Sequence, residues 1–259
     1  MKFWSFGRTK SLPVDLSGKG RTPSDIFLRA YKPAQNFTLA ERTERIMQQQ
    51  RFISDELKIW TWDLSYNNIE LDIRDNACYD LIYKRAKKGM NTKRADTIRY
   101  QPGDIPDLQS TCFFCLKNSG FEHFYITHQL GWNGNFSKSE CINIDGFVHA
   151  PESYSPSIIT RLMDRIIDEY KPKSLCITSS NYHLKIAKRP DSTPWTGWIT
   201  YLDNSVPLPK KYPDFCEVQT KANGTLFQVC EEMFNDTSSK HTDASLKLEK
   251  WFRKNGVRV

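Results

Sequence analysis

The stretch SPSIITRLMDRIIDEYKPKSLCIT, residues 155–178, constrains this chain more than any other. Pro156 follows Ser155 at the one helical position that accepts proline freely, because the first-turn N–H has no intrahelical partner to lose. Ile158, Ile159, Leu162, Ile166 and Ile167 then recur at helical spacing up to Tyr170, and Pro172 stops the run. Leu175-Cys-Ile-Thr178 follows with the composition of a strand. A helix with one apolar face, followed at once by an apolar strand, has to bury the two together. The unit predicts a helix lying on a sheet.

The rest of the chain extends that layer. Thr38-Leu-Ala-Glu41 is a capping box, in which a hydroxyl and a carboxylate three residues apart satisfy the open first-turn N–H groups. It predicts a helix over 39–56, whose apolar face (Leu39, Ile46, Phe52, Ile53, with Leu57 beyond) is ragged among Glu, Arg and Gln. Trp60, Trp62 and Leu64 alternate at strand period, and a shorter helix is expected over 76–88. Strand-like runs at 112–116, 124–128 and 141–145, separated by Asn118-Ser-Gly120 and Asn133-Gly134, predict an antiparallel meander. Further strands are expected at 198–202, 216–219 and 225–229, the last two around Asn223-Gly224. A final helix over 243–254 carries Leu246, Leu248, Trp251 and Phe252 and stops at Asn255-Gly256. Residues 1–22 are polar, contain Gly18 and Gly20, and read as an irregular arm. With no internal repeat and no Gly/Ser linker, the expectation is one domain over 1–259, of α+β class, with a mostly antiparallel sheet flanked by helices.

Composition narrows the function classes. Hydrophobic residues make up 39% of the 259 and charged residues 26%, which suits a folded chain with a sizeable core. Nothing approaches the run of about 18 apolar residues that a membrane span requires. The N-terminus starts positive, but Gly7, Arg8 and Lys10 interrupt any apolar core of a secretory signal, so a cytoplasmic protein is expected. The cysteines (78, 112, 115, 141, 176, 216 and 230) are odd in number and scattered, unlike a disulfide scaffold. Cys112-Phe-Phe-Cys115 has zinc or redox spacing. It lacks a second Cys/His pair, and its phenylalanines read as buried strand. Reduced, buried thiols are expected.

Catalytic patterns fare poorly. A restriction-type nuclease needs an Asp and then a Glu/Asp-x-Lys on adjacent strands to hold Mg²⁺ and steady the attacking water. Pro106-Asp107 is present, yet Glu169-Tyr-Lys171 lies at a helix end and Glu56-Leu-Lys58 comes in the wrong order. No phosphate-binding glycine loop, zinc-protease motif or serine elbow occurs. His123 and His128 point to opposite faces by parity, and His183 has no evident nucleophile beside it. Phe113, Phe114, Phe121 and Tyr125 have almost no basic neighbours, so they read as core and not as an oligonucleotide platform. No catalytic residue, cofactor or metal is expected, nor a direct nucleic-acid role.

The C-terminal quarter carries a resemblance. Gly197-Trp-Ile-Thr-Tyr-Leu202, Val206-Pro-Leu-Pro209, Glu217-Val218, Asn223-Gly-Thr-Leu226, Glu232-Met-Phe234, His241 and the last helix occur in the order and spacing of the immunity protein 52 family, over residues 195–256. That family resembles antidotes encoded beside restriction-endonuclease-fold toxins in bacterial polymorphic-toxin and type VI secretion systems. The resemblance implies a non-enzymatic inhibitor whose partner is a cognate nuclease toxin.

Two groups of residues are candidates for such an interface. Trp195, Trp198 and Tyr201 with Pro207 and Pro209 form an aromatic and proline-rich run, and exposed Trp and Tyr are frequent interface anchors. Trp198 and Tyr201 are three apart, so on a regular strand one should face the core and the other outward. The alternative is that the whole run is core. The second group is an acidic segment, Asp55, Glu56, Asp63, Glu70, Asp72 and Asp75, which suits a cationic nuclease cleft although the chain's net charge is +7. A basic run from Lys84 to Arg94 follows it, and a nucleic-acid enzyme or accessory protein working through basic surface is the alternative function.

Overall fold

In the computed structural model the described residues are 26–33, 39–64, 70–90, 111–114, 124–129, 139–146, 156–183 and 192–259. The elements run β1 (Ile26–Pro33), α1 (Leu39–Leu57), β2 (Thr61–Leu64), β3 (Glu70–Asp72), α2 (Asn76–Met90), β4 (Thr111–Phe114), β5 (Tyr125–Gln129), β6 (Ser139–Asp145), α3 (Pro156–Tyr170), β7 (Ser174–Ser179), β8 (Ile199–Asp203), β9 (Glu217–Lys221), β10 (Gly224–Gln228) and α4 (Ser239–Lys254). All ten strands join one sheet in the order β3-β2-β4-β5-β6-β1-β7-β8-β10-β9, and every pairing is antiparallel. The fold is α+β, a sheet flanked by helices, as the sequence predicts.

Register shows how the layers form. Leu28 and Ala30 of β1 lie opposite Ile144 and Ile142 of β6 and Ile177 and Leu175 of β7. Ile126, Phe113, Leu64 and Tyr201 continue the same face across the neighbouring strands. α1 and α3 pack on each other over this face, where Trp62 of β2 and Lys32 of β1 reach them, and α2 packs on α1. Trp62, fully buried here, donates its indole N–H to Ser54 Oγ of α1 at 2.9 Å. α3 presents Ile159, Leu162, Ile166 and Ile167 to the core as its spacing predicted, with Met163 buried beside them and Ile158 only half-buried.

α4 covers the opposite face, at the β8–β10 end. Phe227 meets Phe252 there with ring centres 5.2 Å apart, and Ser245 Oγ donates to Gly197 O at 3.2 Å. Several motif residues of the C-terminal quarter turn out to fasten this helix. Glu232 accepts from Lys240 at 3.2 Å and lies 3.4 Å from His241 Nε2, while His241 Nδ1 accepts the backbone N–H of Asn235 at 3.0 Å. A hydrogen bond from its own backbone N–H, followed by those from Lys240 and His241, holds the Glu232 carboxyl down at about 2. Helix α4 starts at Ser239 and not at 243, because the polar His241 and Thr242 that break its apolar pattern are themselves buried.

Two glycines of that quarter are there for close approach. A Cβ on Gly224 would sit 2.2 Å from Leu202 O and 2.7 Å from the Tyr201 ring; one on Gly197 would sit 2.3 Å from Thr178 Cβ. Backbone oxygen cannot move aside as a flexible side chain can. Gly224→Ala is expected to cost about 1–3 kcal/mol, the usual range for overpacking. Urea unfolding would check it, and an unchanged midpoint would mean that β8 and β10 have slack not evident in their spacing.

Two strands have no counterpart in the sequence reading. β3 has only three residues. β1, the strand that joins β6 to β7, carries Arg29 and Lys32 and ends in Pro33, so its sequence does not read as central strand.

Candidate functional site

Tracing the predicted interface residues onto the fold separates them into two places. Trp198 and Tyr201 are both buried, at 2% and 1% exposure, which corrects the expectation that one faces outward. Alternation does send them to opposite faces of β8, but α3 covers one face and α4 the other, so neither reaches solvent. Trp198 donates its indole N–H to Cys230 O at 2.9 Å, and the Tyr201 hydroxyl donates to Asn223 O at 2.8 Å. Pro207 is exposed and Pro209 half-buried.

Among the three aromatic residues of this run Trp195 is the one that stays part-exposed, and it anchors a cluster. It lies across β1 on the face opposite Leu28 and Ala30. The Arg29 guanidinium sits 4.4 Å from its ring centre, and the His183 ring stacks on it at 3.7 Å. Phe27 and Tyr31 meet it edge-on at 6.3 and 6.2 Å. Arg29 also donates to Asn143 Oδ1, its register partner on β6. Arg29, Trp195 and the flanking rings form the amphipathic, rotamer-poor kind of surface that protein interfaces favour. His183 spends its ring on this stack.

The acidic group lies elsewhere. Asp63 of β2 faces Glu70 of β3, and Thr61 faces Asp72, so these three carboxylates share one sheet face at the β3 edge. From β2 to β1 the sheet spans four strand spacings, about 19 Å. The fold therefore does not bring the acidic and aromatic groups together. Asp63 is buried, whereas Glu70, Asp75 and Asp55 are exposed. Asp72 accepts from Arg74 at 2.8 Å, which holds its carboxyl down at about 2. Glu56 accepts from Arg161 of α3 at 2.9 Å. Asp75 accepts the Ala77 N–H at 2.9 Å and starts α2. Asp72, Asp75 and Glu56 thus have structural duties.

A third location was not singled out by sequence. Under α1, a pocket of about 340 Å³ is lined by Lys32, Arg45, Gln48, Gln49, Phe52, Glu169 and Tyr170. At its base Lys32 meets Glu140, its register partner, at 3.5 Å, with the two side chains only 12% and 1% exposed. Lys32 also donates to Tyr170 O at 3.2 Å and rides 4.1 Å from the Tyr170 ring centre. Burial lowers the Lys32 ammonium pKa against the opposing pull of Glu140, and raises that of the Tyr170 phenol. The one available signal was the polar run Gln49-Gln50 with Ser54 on the inward side of α1, since buried amides on a helix announce buried polar partners.

Those partners include His128, fully buried, with Nδ1 at 2.9 Å from Gln49 Oε1 and Nε2 at 2.7 Å from Gln50 Oε1. Burial holds its pKa down at about 3, so the ring is neutral and carries a single N–H. One amide must then present nitrogen. Gln50 Nε2 is otherwise buried without a partner, so Gln50 donates to His128 Nε2 and the ring donates from Nδ1 to Gln49. An unfolded histidine titrates near about 6.5. Between that value and about 3 the unfolded chain binds more protons, so stability rises with pH there. The contribution is complete above about 6.5 and is lost as pH falls toward about 3. His128→Asn is expected to flatten the pH dependence of unfolding in this window by up to one proton, about 1.4 kcal/mol per pH unit. An unchanged slope from urea unfolding at stepped pH would contradict a buried neutral ring.

Among the described residues, no group of three or more His, Cys, Asp or Glu is placed to hold a metal ion. Glu169 and Lys171 lie at the end of α3, where Lys171 has φ 53°, and Glu56 and Lys58 at the end of α1, not on strands. Asp107 and the Cys112–Cys115 thiols lie outside what is described. Cys78, Cys141 and Cys176 are buried and Cys216 and Cys230 half-buried, none of the five in a disulfide, and burial pushes the Cys78 thiol up to about 11. Among the described residues no helix is long and apolar enough to cross a membrane.

No family model matches the chain, and no curated protein matches it. Among solved structures the chain is similar to the Pseudomonas aeruginosa T6SS protein PA0821, with a TM-score of 0.51 and 11% identity. The likeness covers 90% of this chain and 73% of that one. At that identity it establishes the shared fold.

Proposed function

We propose that this chain is a cytoplasmic immunity protein that binds and neutralises a cognate nuclease effector of a type VI secretion system. The observation that carries the reading is the fold likeness to a T6SS protein across nine-tenths of the chain. The ordered pattern over 195–256 agrees with it. In this reading Trp195 and Arg29 provide the rigid anchor, and the Pro207–Pro209 loop lies further along the same run. Trp198 and Tyr201 act from beneath, holding β8 in place. The exposed carboxylates of Asp55, Glu70 and Asp75 speed encounter with a cationic nuclease cleft, and Glu56 and Asp72 add to the field while paired.

The test is co-purification with the product of a neighbouring toxin-like gene, then DNA cleavage by that product with and without this protein. A stoichiometric complex that silences cleavage is expected. DNA cleavage by this protein alone, in the absence of any complex, would instead favour a nucleic-acid enzyme working through the basic surface of a +7 chain. Trp195→Ala should weaken the complex more than about tenfold, the scale of an interface hot spot, with the fold intact. An affinity within about twofold of wild type would remove Trp195 from the interface.

A further inference from the structure

The two edges of the ten-stranded sheet are built differently. β3 is three residues long and acidic, the kind of edge that repels a further strand. β9 is the five-residue strand Glu217-Val-Gln-Thr-Lys221, with no acidic run and no proline within it. Hydrogen-bond parity decides which of its backbone groups are open. Val229 N–H donates to Trp198 O at 3.0 Å, so the odd-numbered residues of β10 address β8. Gly224, Leu226 and Gln228 therefore address β9, where they meet Lys221, Gln219 and Glu217. The N–H and C=O groups of Val218 and Thr220 point away from the sheet.

We propose that β9 is a homodimer interface, pairing antiparallel with β9 of a second copy about a twofold axis through Gln219. In that register Val218 lies opposite Thr220 of the second copy, and Thr220 opposite its Val218. These are the residues whose backbone groups are open, so both pairs are hydrogen-bonded pairs. Glu217 then faces Lys221 of the second copy at one end, and Lys221 faces its Glu217 at the other. A slip by one residue sets open groups against closed ones. A slip by two restores the hydrogen bonds but sets Glu217 or Lys221 against glutamine. Backbone parity and charge thus select the same register.

The surroundings suit this occupant. Glu217 and Gln219 are exposed, with Gln219 Nε2 donating to Glu217 Oε1 at 2.7 Å, and Lys221 lies 3.3 Å from Asp164 of α3. Each end of the paired strands would therefore hold the row Asp164, Lys221 and Glu217 of the second copy. Tyr212, the exposed large hydrophobic residue among those described, lies against Phe227 of the adjoining strand and adds apolar area near the seam. A twofold, isologous contact closes on itself and so uses up the edge without forming fibres. The interface does not depend on effector binding, and its test needs no effector.

Light scattering and sedimentation of the full chain across a concentration series should show conversion from 30.2 kDa to twice that mass. A strand pair this short predicts a dissociation constant in the micromolar range. Glu217→Lys replaces two attractive pairs by two repulsive ones and should weaken the dimer at least about tenfold. Glu217→Lys with Lys221→Glu regenerates the self-complementary pattern and should restore it. Thr220→Pro removes an outward N–H that the chain's own ladder does not use, and should weaken the dimer while circular dichroism is unchanged. A mass that stays at one chain up to about millimolar concentration would overturn the proposal. So would a dimer indifferent to Glu217→Lys and Thr220→Pro, or a failure of the double exchange to recover what the single change lost.

Discussion

Trp198→Ala is expected to lower the unfolding free energy by about 3–5 kcal/mol, the range for deleting a large buried aromatic side chain. The indole is 2% exposed on the face of β8 that α4 covers, and its N–H donates to Cys230 O at 2.9 Å. Truncation removes the packing, opens a cavity beside α4 and takes away one of that carbonyl's two donors, leaving only Gln228 Nε2 at 2.9 Å. Folded domains are stable by only about 5–15 kcal/mol, so soluble yield should fall along with the urea midpoint. Trp198→Phe keeps most of the ring volume and should recover much of the loss. A variant with unchanged stability but lost effector binding would place Trp198 at the surface and contradict the covering of β8 on both faces.

Glu140→Ala is expected to cost about 3–5 kcal/mol, because it strands a buried ammonium without its counter-charge. Lys32 and Glu140 face each other across β1 and β6 with side chains 12% and 1% exposed. Burial already lowers the pKa of Lys32, with Glu140 the principal opposing influence. Without the carboxylate, the folded chain should release the Lys32 proton at still lower pH than the unfolded chain, so the unfolded state binds more protons and the variant's stability should rise with pH on the alkaline side. Lys32→Met with Glu140→Leu should be far milder than Glu140→Ala, since replacing both partners leaves no orphaned charge. Equal losses from the single and double changes would mean that the ion pair is not the reason Glu140 is buried.

The contrast between these two sites shows how much was legible beforehand. Trp198 stood in an aromatic run that sequence alone marks as either core or interface, and the choice needed the third dimension. Lys32 and Glu140 carried no mark at all, because their partnership exists only through the register of β1 on β6. The same holds for Arg29, whose place beneath Trp195 joins residues 166 positions apart in the chain.

What the sequence determined by itself is local. Spacing and caps located α1 and α3, with α3 running from Pro156 to Tyr170 as its proline start and proline stop require. Alternation and turn residues located the meander of β4, β5 and β6 and the β9–β10 hairpin. Each of those signals comes from neighbours within a turn or a strand length, where backbone geometry couples residues directly. The tertiary structure decided the rest: that β1 enters between β6 and β7, that helices cover both faces of β8, and that β9 ends the sheet. Burial and strand register are set by contacts between distant segments, and a residue's neighbours in the chain carry no record of them.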